Sequence, residues 1–247
     1  MANSNDRAAP FGGPAPNCFQ CQWRERSEWC VLARDDVQVL NDHKITSIYE
    51  PGQYIFRQGD PCSGVYSIVA GAIAIRKSDP HGHAVLVRMR HGGETIGYRD
   101  FFAGEIYTTS AEALSRCRVC FIDKRSVRGL LDRNPALGLG FLHRMASDLQ
   151  EAEETLLQSA SLNTRTRMAH LLLALKDRYA TAQEDGSLTM KLPLSRQDIA
   201  DILGSRPETV ARIIQAFEKD DVARFSGRNV IIPDLDALLD EIDPDGD

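Results

Sequence analysis

From about Ile45 to Asp123 the chain is written in short β-type runs broken by glycines: "GQYIFRQGD", "GVYSIVAGAIAIRKS", "HAVLVRMRHGG" and "CRVCFID". Regular short strands with turn signals between them predict a β-barrel or sandwich of roughly eighty residues. The first half of the chain is therefore organised around strands. With 43% hydrophobic and 26% charged residues over 247 positions, the chain has material for one large core or two of ordinary size.

The period then changes. From Ser126 to Ala160 there are no strand signals, and after Pro135 the apolar residues Leu137, Phe141, Leu142, Met145, Leu149, Ala152 and Leu156 recur at helical spacings. The spacing predicts one long amphipathic helix after Pro135, within the strand-free stretch 126–160. A helix of about twenty-five residues exceeds what a small domain needs. Packing against its own barrel is one use of its apolar stripe. A coiled-coil seam of Leu142, Met145, Leu149 and Leu156 against a second copy is the preferred one.

After "SASLNTRTR", a hinge, comes an apolar helix, "MAHLLLALKDRYA", and a polar break, "TAQEDGS". Ser195 followed by Asp198 is a capping-box start for a helix through Leu203. Gly204 breaks it, and Pro207 suits the first turn of a second helix running to about Lys219. Two short helices around a tight glycine-containing turn make a helix-turn-helix, and "ARFSGRNVII" adds a hairpin wing. Such a second helix presents its N-terminal residues to base edges. Glu208 and Arg212 share one of its faces: Arg suits guanine O6 and N7, and Glu suits a cytosine amino group. An exposed Glu-Arg helix pair is the bland alternative, worth only ~0.3 to 0.5 kcal/mol. Ser205, Arg206 and Thr209 flank the pair, Ser195 opens the first helix, and Arg228 sits at the wing turn, placed to meet phosphate.

The net charge of -6 does not exclude nucleic acid, because its distribution is uneven. Residues 161–232 carry 11 Lys and Arg against 9 Asp and Glu, and the tail from Pro233 holds seven acids and no base. The first seventeen residues read as a leader without an apolar run, neither signal peptide nor membrane span. A reducing cytoplasm is the expected compartment. No nucleotide loop or catalytic constellation argues for an enzyme. His81 and His83 stand in "DPHGH", a hairpin tip, and with His91 suggest a surface turn more than a metal site.

Three cysteines fall within "NCFQCQWRERSEWC", residues 17 to 30. In a reducing compartment such a cluster points to metal or redox chemistry more than to a structural bridge. A disulfide, zinc and an iron-sulfur site remain open from the residues alone. Cys62, after "GDP", reads as a lone surface thiol.

Together, the glycines of "GD" at 59–60 and "AGAI" at 70–73, the long helix and "SRQDIADILGSRPETVARII" resemble the CRP/FNR superfamily of bacterial transcription regulators, over nearly the whole chain from Cys18 to Ile232. The resemblance implies an α+β fold: a cyclic-nucleotide-binding-like β-roll (18–125), a dimerisation helix (126–160), a winged helix-turn-helix (161–232) and an acidic tail (233–247). It implies a homodimer on double-stranded DNA and contact with RNA polymerase. The family's second-helix signature is E-x-x-S-R or E-x-x-G-R; Glu208, Ala211 and Arg212 give E-x-x-A-R, which implies TTGA-type half-sites and leaves the base beside Ala211 open. Nucleotide-binding members resemble G-E followed by R-S. Gly93-Glu94 matches the first half, but no Arg stands beside Ser110, which argues against cyclic AMP.

Oxygen-sensing members resemble C-x-x-C, a third Cys soon after and a distant A-L-x-x-x-V-C. Cys18, Cys21, Cys30 and the Cys120 of "ALSRCRVC" fill that pattern and imply a four-iron four-sulfur cluster. Cys117 points to the other side of the strand and is the weaker fourth ligand. The eight residues between Cys21 and Cys30 exceed the family's gap, a difference that bears on exposure of the site more than on its existence. Zinc takes four cysteines as well, and only the resemblance favours iron. A regulator without a cluster, constitutive or gated by another small molecule, is the alternative.

Overall fold

The computed structural model describes residues 17–104 and 106–243, and the chain divides into two compact units between Glu151 and Ala152. The first unit opens with three short 3-10 turns, Cys18–Gln20, Arg24–Arg26 and Glu28–Val31, then α1 (Arg34–His43). The strands β1 (Ile45–Tyr49), β2 (Tyr54–Phe56), β3 (Gly64–Ala70), β4 (Ala72–Ser78), β5 (Ala84–His91), β6 (Thr95–Ile96), β7 (Ser110–Ala113) and β8 (Cys117–Asp123) follow, with α2 (Tyr98–Ala103) between β6 and β7. They form two antiparallel sheets, β1-β8-β3-β6 and β2-β7-β4-β5. This is a jelly roll, and its first and last strands begin and end at the expected Ile45 and Asp123. Val65, Ile68, Ile73, Val119 and Ile122 fill the space between the sheets. The sharp β3–β4 turn needs glycine: Gly71 has φ 97, and a Cβ there would lie 2.5 Å from Cys117 Sγ.

The stretch 126–160, expected as the dimerisation segment, holds two helices, and the second matches the spacing that begins after Pro135. Asp123 caps α3 (Lys124–Arg133), accepting from the backbone of Arg125 and Ser126, and Val127 and Leu130 are buried in the barrel core. Pro135 then opens α4 (Pro135–Ser161). A residue before proline is driven out of the α region, and Asn134 at φ -133, ψ 86 is where the helical path breaks. The apolar stripe of α4 also divides. Leu137 and Phe141 enter the barrel core, while Leu142, Leu149 and Leu156 are 58%, 61% and 71% exposed in the single chain. Met145, the fourth residue of the expected seam, rests partly on the barrel.

The second unit holds the end of α4, α5 (Thr164–Tyr179), β9 (Ala180–Ala182), β10 (Leu188–Lys191), α6 (Arg196–Ile202), α7 (Pro207–Lys219), β11 (Arg224–Ser226), β12 (Asn229–Ile232) and α8 (Leu235–Asp240). Its sheet runs β11-β12-β10-β9. The polar break "TAQEDGS" is thus a hairpin, whose turn Asp185 tightens by accepting from the backbone and hydroxyl of Ser187. The boundary at 232 also moves. Leu238 of α8 is fully buried, and Arg165 Nε donates to Glu241 at 2.7 Å, so part of the acidic tail belongs to this unit. Among the described residues no helix is long and apolar enough to cross a membrane.

Candidate thiol site and nucleic-acid interface

All six cysteines are free thiols. Cross-strand pairing sets Thr46 of β1 opposite Cys120 of β8, with Oγ1 and Sγ 3.5 Å apart. Just before β1, Lys44 Nζ donates to Asn41 Oδ1 at 2.8 Å, and the same oxygen accepts from the Cys18 backbone at 3.0 Å. Burial raises the Cys18 thiol above its ordinary pKa; the Lys44 ammonium works against this, and Cys120 and Cys21 add to the rise. Burial likewise raises Cys120, opposed by Thr46 and Lys44 and reinforced by Cys21. Cys18, Cys21 and Cys120 therefore share one neighbourhood. Cys30 is exposed on its own turn.

Among the described residues no three Cys, His, Asp or Glu side chains converge as ligands of a single metal ion do. Cys117 lies on the opposite face of β8 as alternation requires, its Sγ donating to Ala72 O at 3.2 Å, and burial pushes its pKa up to about 11. Cys62 is a correction: it is 4% exposed, because the turn after Asp60 carries it inward beside Gly64 O. His81 and His83 do stand at the β4–β5 tip, where Asp79 accepts from both backbones.

The segment between Cys21 and Cys30 is anchored rather than loose. Trp23 Nε1 donates to Val69 O at 2.8 Å, and its ring lies where a Cβ on Gly93 would come within 2.7 Å. Trp29 is 3% exposed and donates to Thr95 Oγ1 at 3.3 Å. The sequence reading passed over both indoles. Two tryptophans in "QWRERSEW" were the available signal, since such large side chains are mostly buried with the N–H bonded.

A charged network ties β5 to α4. Asp148, 7% exposed, accepts from Arg90 Nη2 at 2.7 Å, lies 2.9 Å from Arg88 Nη1 and also accepts from the Tyr98 hydroxyl. Glu94, the acid of the Gly-Glu pair, accepts from Arg90 at 2.8 Å and from the His91 backbone at 2.7 Å. Burial opposes charge on Arg90, but Glu94, Asp148 and Glu151 outweigh it and hold the guanidinium more firmly protonated than usual.

In the second unit the capping box forms as expected, Ser195 Oγ accepting from the Asp198 backbone at 3.1 Å and donating to its carboxylate at 2.6 Å. That hydroxyl is occupied by the cap. Gly204, at φ 53, turns the chain into α7, whose Val210, Ile213, Ile214 and Phe217 are buried. The other face carries Glu208, Ala211 and Arg212, all exposed, with exposed Arg206 before it and Ser205 and Thr209 half-buried beside it. Glu208 and Arg212 make no ion pair with each other among the described residues. Arg228 is exposed in the β11–β12 turn, where Gly227 has φ 60.

A jelly roll followed by a winged helix-turn-helix defines a class, the two-part DNA-binding regulators. A cyclic nucleotide-binding domain profile matches residues 47–134, and a Crp-like helix-turn-helix domain profile matches 166–241. The chain is 26% identical over 242 residues to the transcriptional activator protein FnrL of Cereibacter sphaeroides, covering 93% of each. It is 26% identical to the anaerobic regulatory protein of Haemophilus influenzae, covering 95% of this chain and 91% of that one. The structure of FixK2 from Bradyrhizobium japonicum superposes with a TM-score of 0.69 at 25% identity, covering 80% of this chain and 96% of that one. The protein belongs to the CRP/FNR family of transcription regulators. Members of this family bind DNA, act as dimers and are not enzymes.

Proposed function

We propose that this regulator is a homodimer that carries a four-iron four-sulfur cluster on Cys18, Cys21, Cys30 and Cys120, responds to oxygen or a related redox signal such as nitric oxide, and reads palindromic TTGA-type half-sites. The observation that carries the reading is that Asn41 holds both the Cys18 backbone and Lys44, just before the strand that pairs Thr46 with Cys120, so thiols far apart in sequence share one neighbourhood. The donor chemistry fits, since such clusters take thiolates and all four residues are free thiols. The name of the Haemophilus relative, an anaerobic regulatory protein, supports an oxygen-linked role.

A bound cluster would supply the oxygen-sensitive chemistry. The chain supplies the rest. Lys44 offsets thiolate charge beside Cys18 and Cys120, and Trp23 and Trp29 hold the segment between Cys21 and Cys30. Leu142, Leu149 and Leu156, one heptad apart and exposed, form the seam for a second α4. Two recognition helices related by a two-fold axis then meet successive major grooves, about one helical turn apart. Arg212 and Glu208 read base edges, Ala211 offers a methyl group, and Ser205, Arg206, Thr209 and Arg228 hold backbone or flanking positions. Glu94 already has arginine partners of its own, so a cyclic nucleotide has no part in this reading.

The test is the ultraviolet-visible spectrum of anaerobically purified protein, with iron and sulfide analysis. A broad band that bleaches in air is expected. Replacing Cys18, Cys21, Cys30 or Cys120 by Ser removes most of the iron, and Cys62→Ser leaves it. A colourless zinc protein, or a metal-free protein with full DNA binding, rejects the reading. Full iron in Cys120→Ser moves the fourth ligand to Cys117.

A further inference from the structure

We propose that Glu28 is a positioning residue that couples the Cys30 segment to α4, and so to the dimer seam. The proposal rests on the cluster reading for what holds Cys30. Cys30 itself is exposed, but its neighbours grip α4. The Glu28 side chain is 3% exposed, and its Oε1 accepts from Arg144 Nε at 2.6 Å. Its Oε2 accepts from Thr95 Oγ1 at 3.0 Å, the same oxygen to which Trp29 donates. The Trp29 and Phe141 rings meet edge to face at 5.6 Å. Val31 O accepts from Asn134 Nδ2 at 2.8 Å. A Cβ on Gly140 would lie 3.5 Å from Glu28 Cα, so backbone meets backbone there with no long side chain to absorb a shift.

The residues around Cys30 therefore touch Asn134 just before α4 and α4 itself at 140, 141 and 144, and Leu142 and Leu149 remain exposed for a partner. Taking one member from a buried ion pair leaves the other uncompensated, so Glu28 and Arg144 move together or exchange partners. An alternative partner is at hand, because Arg144 Nη1 also donates to Glu94 at 3.4 Å. The guanidinium thus bridges two carboxylates at once, Nε on Glu28 and Nη1 on Glu94, and keeps the second if the first withdraws. With Cys30 held, Glu28 keeps Arg144 and fixes the rotation of α4. With Cys30 released, Glu28 withdraws, Arg144 passes to Glu94, and the seam turns out of register.

The experiment compares full-length wild type and Glu28→Gln, both iron-loaded under nitrogen. Iron and sulfide per protomer are measured, and the monomer-dimer dissociation constant is taken by sedimentation before and after the iron is removed. Wild type weakens about tenfold on iron loss. Glu28→Gln carries the same iron, and its two constants agree within about twofold. A loaded Glu28→Gln that keeps the wild-type ratio overturns the proposal. So does loss of its iron, which would make Glu28 a support for the thiols alone. If wild type takes up no iron, the cluster reading fails and the link is read separately in metal-free protein: Glu28→Gln should speed amide exchange about tenfold at 28–31 and 140–148 together. Unchanged exchange at 140–148 overturns the link. Arg144→Gln replaces Glu28→Gln if circular dichroism shows the latter unfolded.

Discussion

Arg212 stands one turn beyond Glu208 on the exposed face of α7, and its guanidinium makes no ion pair among the described residues. Base reading and an idle surface arginine then differ in one measurement. If Arg212 donates to guanine, Arg212→Ala costs ~1 to 3 kcal/mol per half-site and relaxes preference at that base pair. Arg228→Ala, at the wing turn, weakens a palindromic and a scrambled site about equally and lowers the salt slope by about one. Equal losses on both DNAs for Arg212→Ala would make it a phosphate contact. At this scale the sequence was legible where local rules decide. Strand alternation separated Cys117 from Cys120, and the capping box at Ser195 formed as written. Cys62 was misread because its burial depends on residues far along the chain: Tyr107 and Asp100 act on its thiol. Glu28 was passed over for the same reason, since its partners Thr95 and Arg144 are distant in sequence.

At the scale of elements, α4 serves two masters, with Leu137 and Phe141 inside the barrel and a heptad of exposed leucines beyond. Leu149→Asp puts an unpartnered charge into the seam while leaving the protomer core untouched, so it yields folded monomers under nitrogen by sedimentation. A dimer of unchanged strength would remove Leu149 from the seam. Glu151 lies 3.3 Å from Arg88 Nε, which offsets part of the like charge that Glu151, Glu153 and Glu154 would bring to a paired helix. Of the second unit's helices, α6 and α7 were legible from caps and breakers, α7 over its full length, whereas α5 begins at Thr164 inside the stretch read as a hinge and α8 lies in the stretch read as an acidic tail. The β9–β10 hairpin was not, because strands of three and four residues around a charged turn leave too few apolar positions to show a period. The break between α3 and α4 could have been read from Asn134-Pro135; the uniform absence of strand signals masked it.

At the scale of the whole molecule, α4 begins in the first compact unit and ends in the second, the division falling between Glu151 and Ala152. The N-terminal segment carries Cys18, Cys21 and Cys30, the jelly roll carries Cys120 on β8, and the winged helix-turn-helix is the part that the Crp-like profile matches. On the proposed reading, the state of the four cysteines sets affinity for DNA through the dimer. The most direct measurement titrates a palindromic TTGA-type site with anaerobic, iron-loaded protein and with the same sample after air exposure, at one fixed salt concentration. Binding at least about tenfold tighter is expected before exposure, with the difference abolished in Cys30→Ser. Equal affinity before and after air, in a sample shown to carry and then lose its iron, would contradict it.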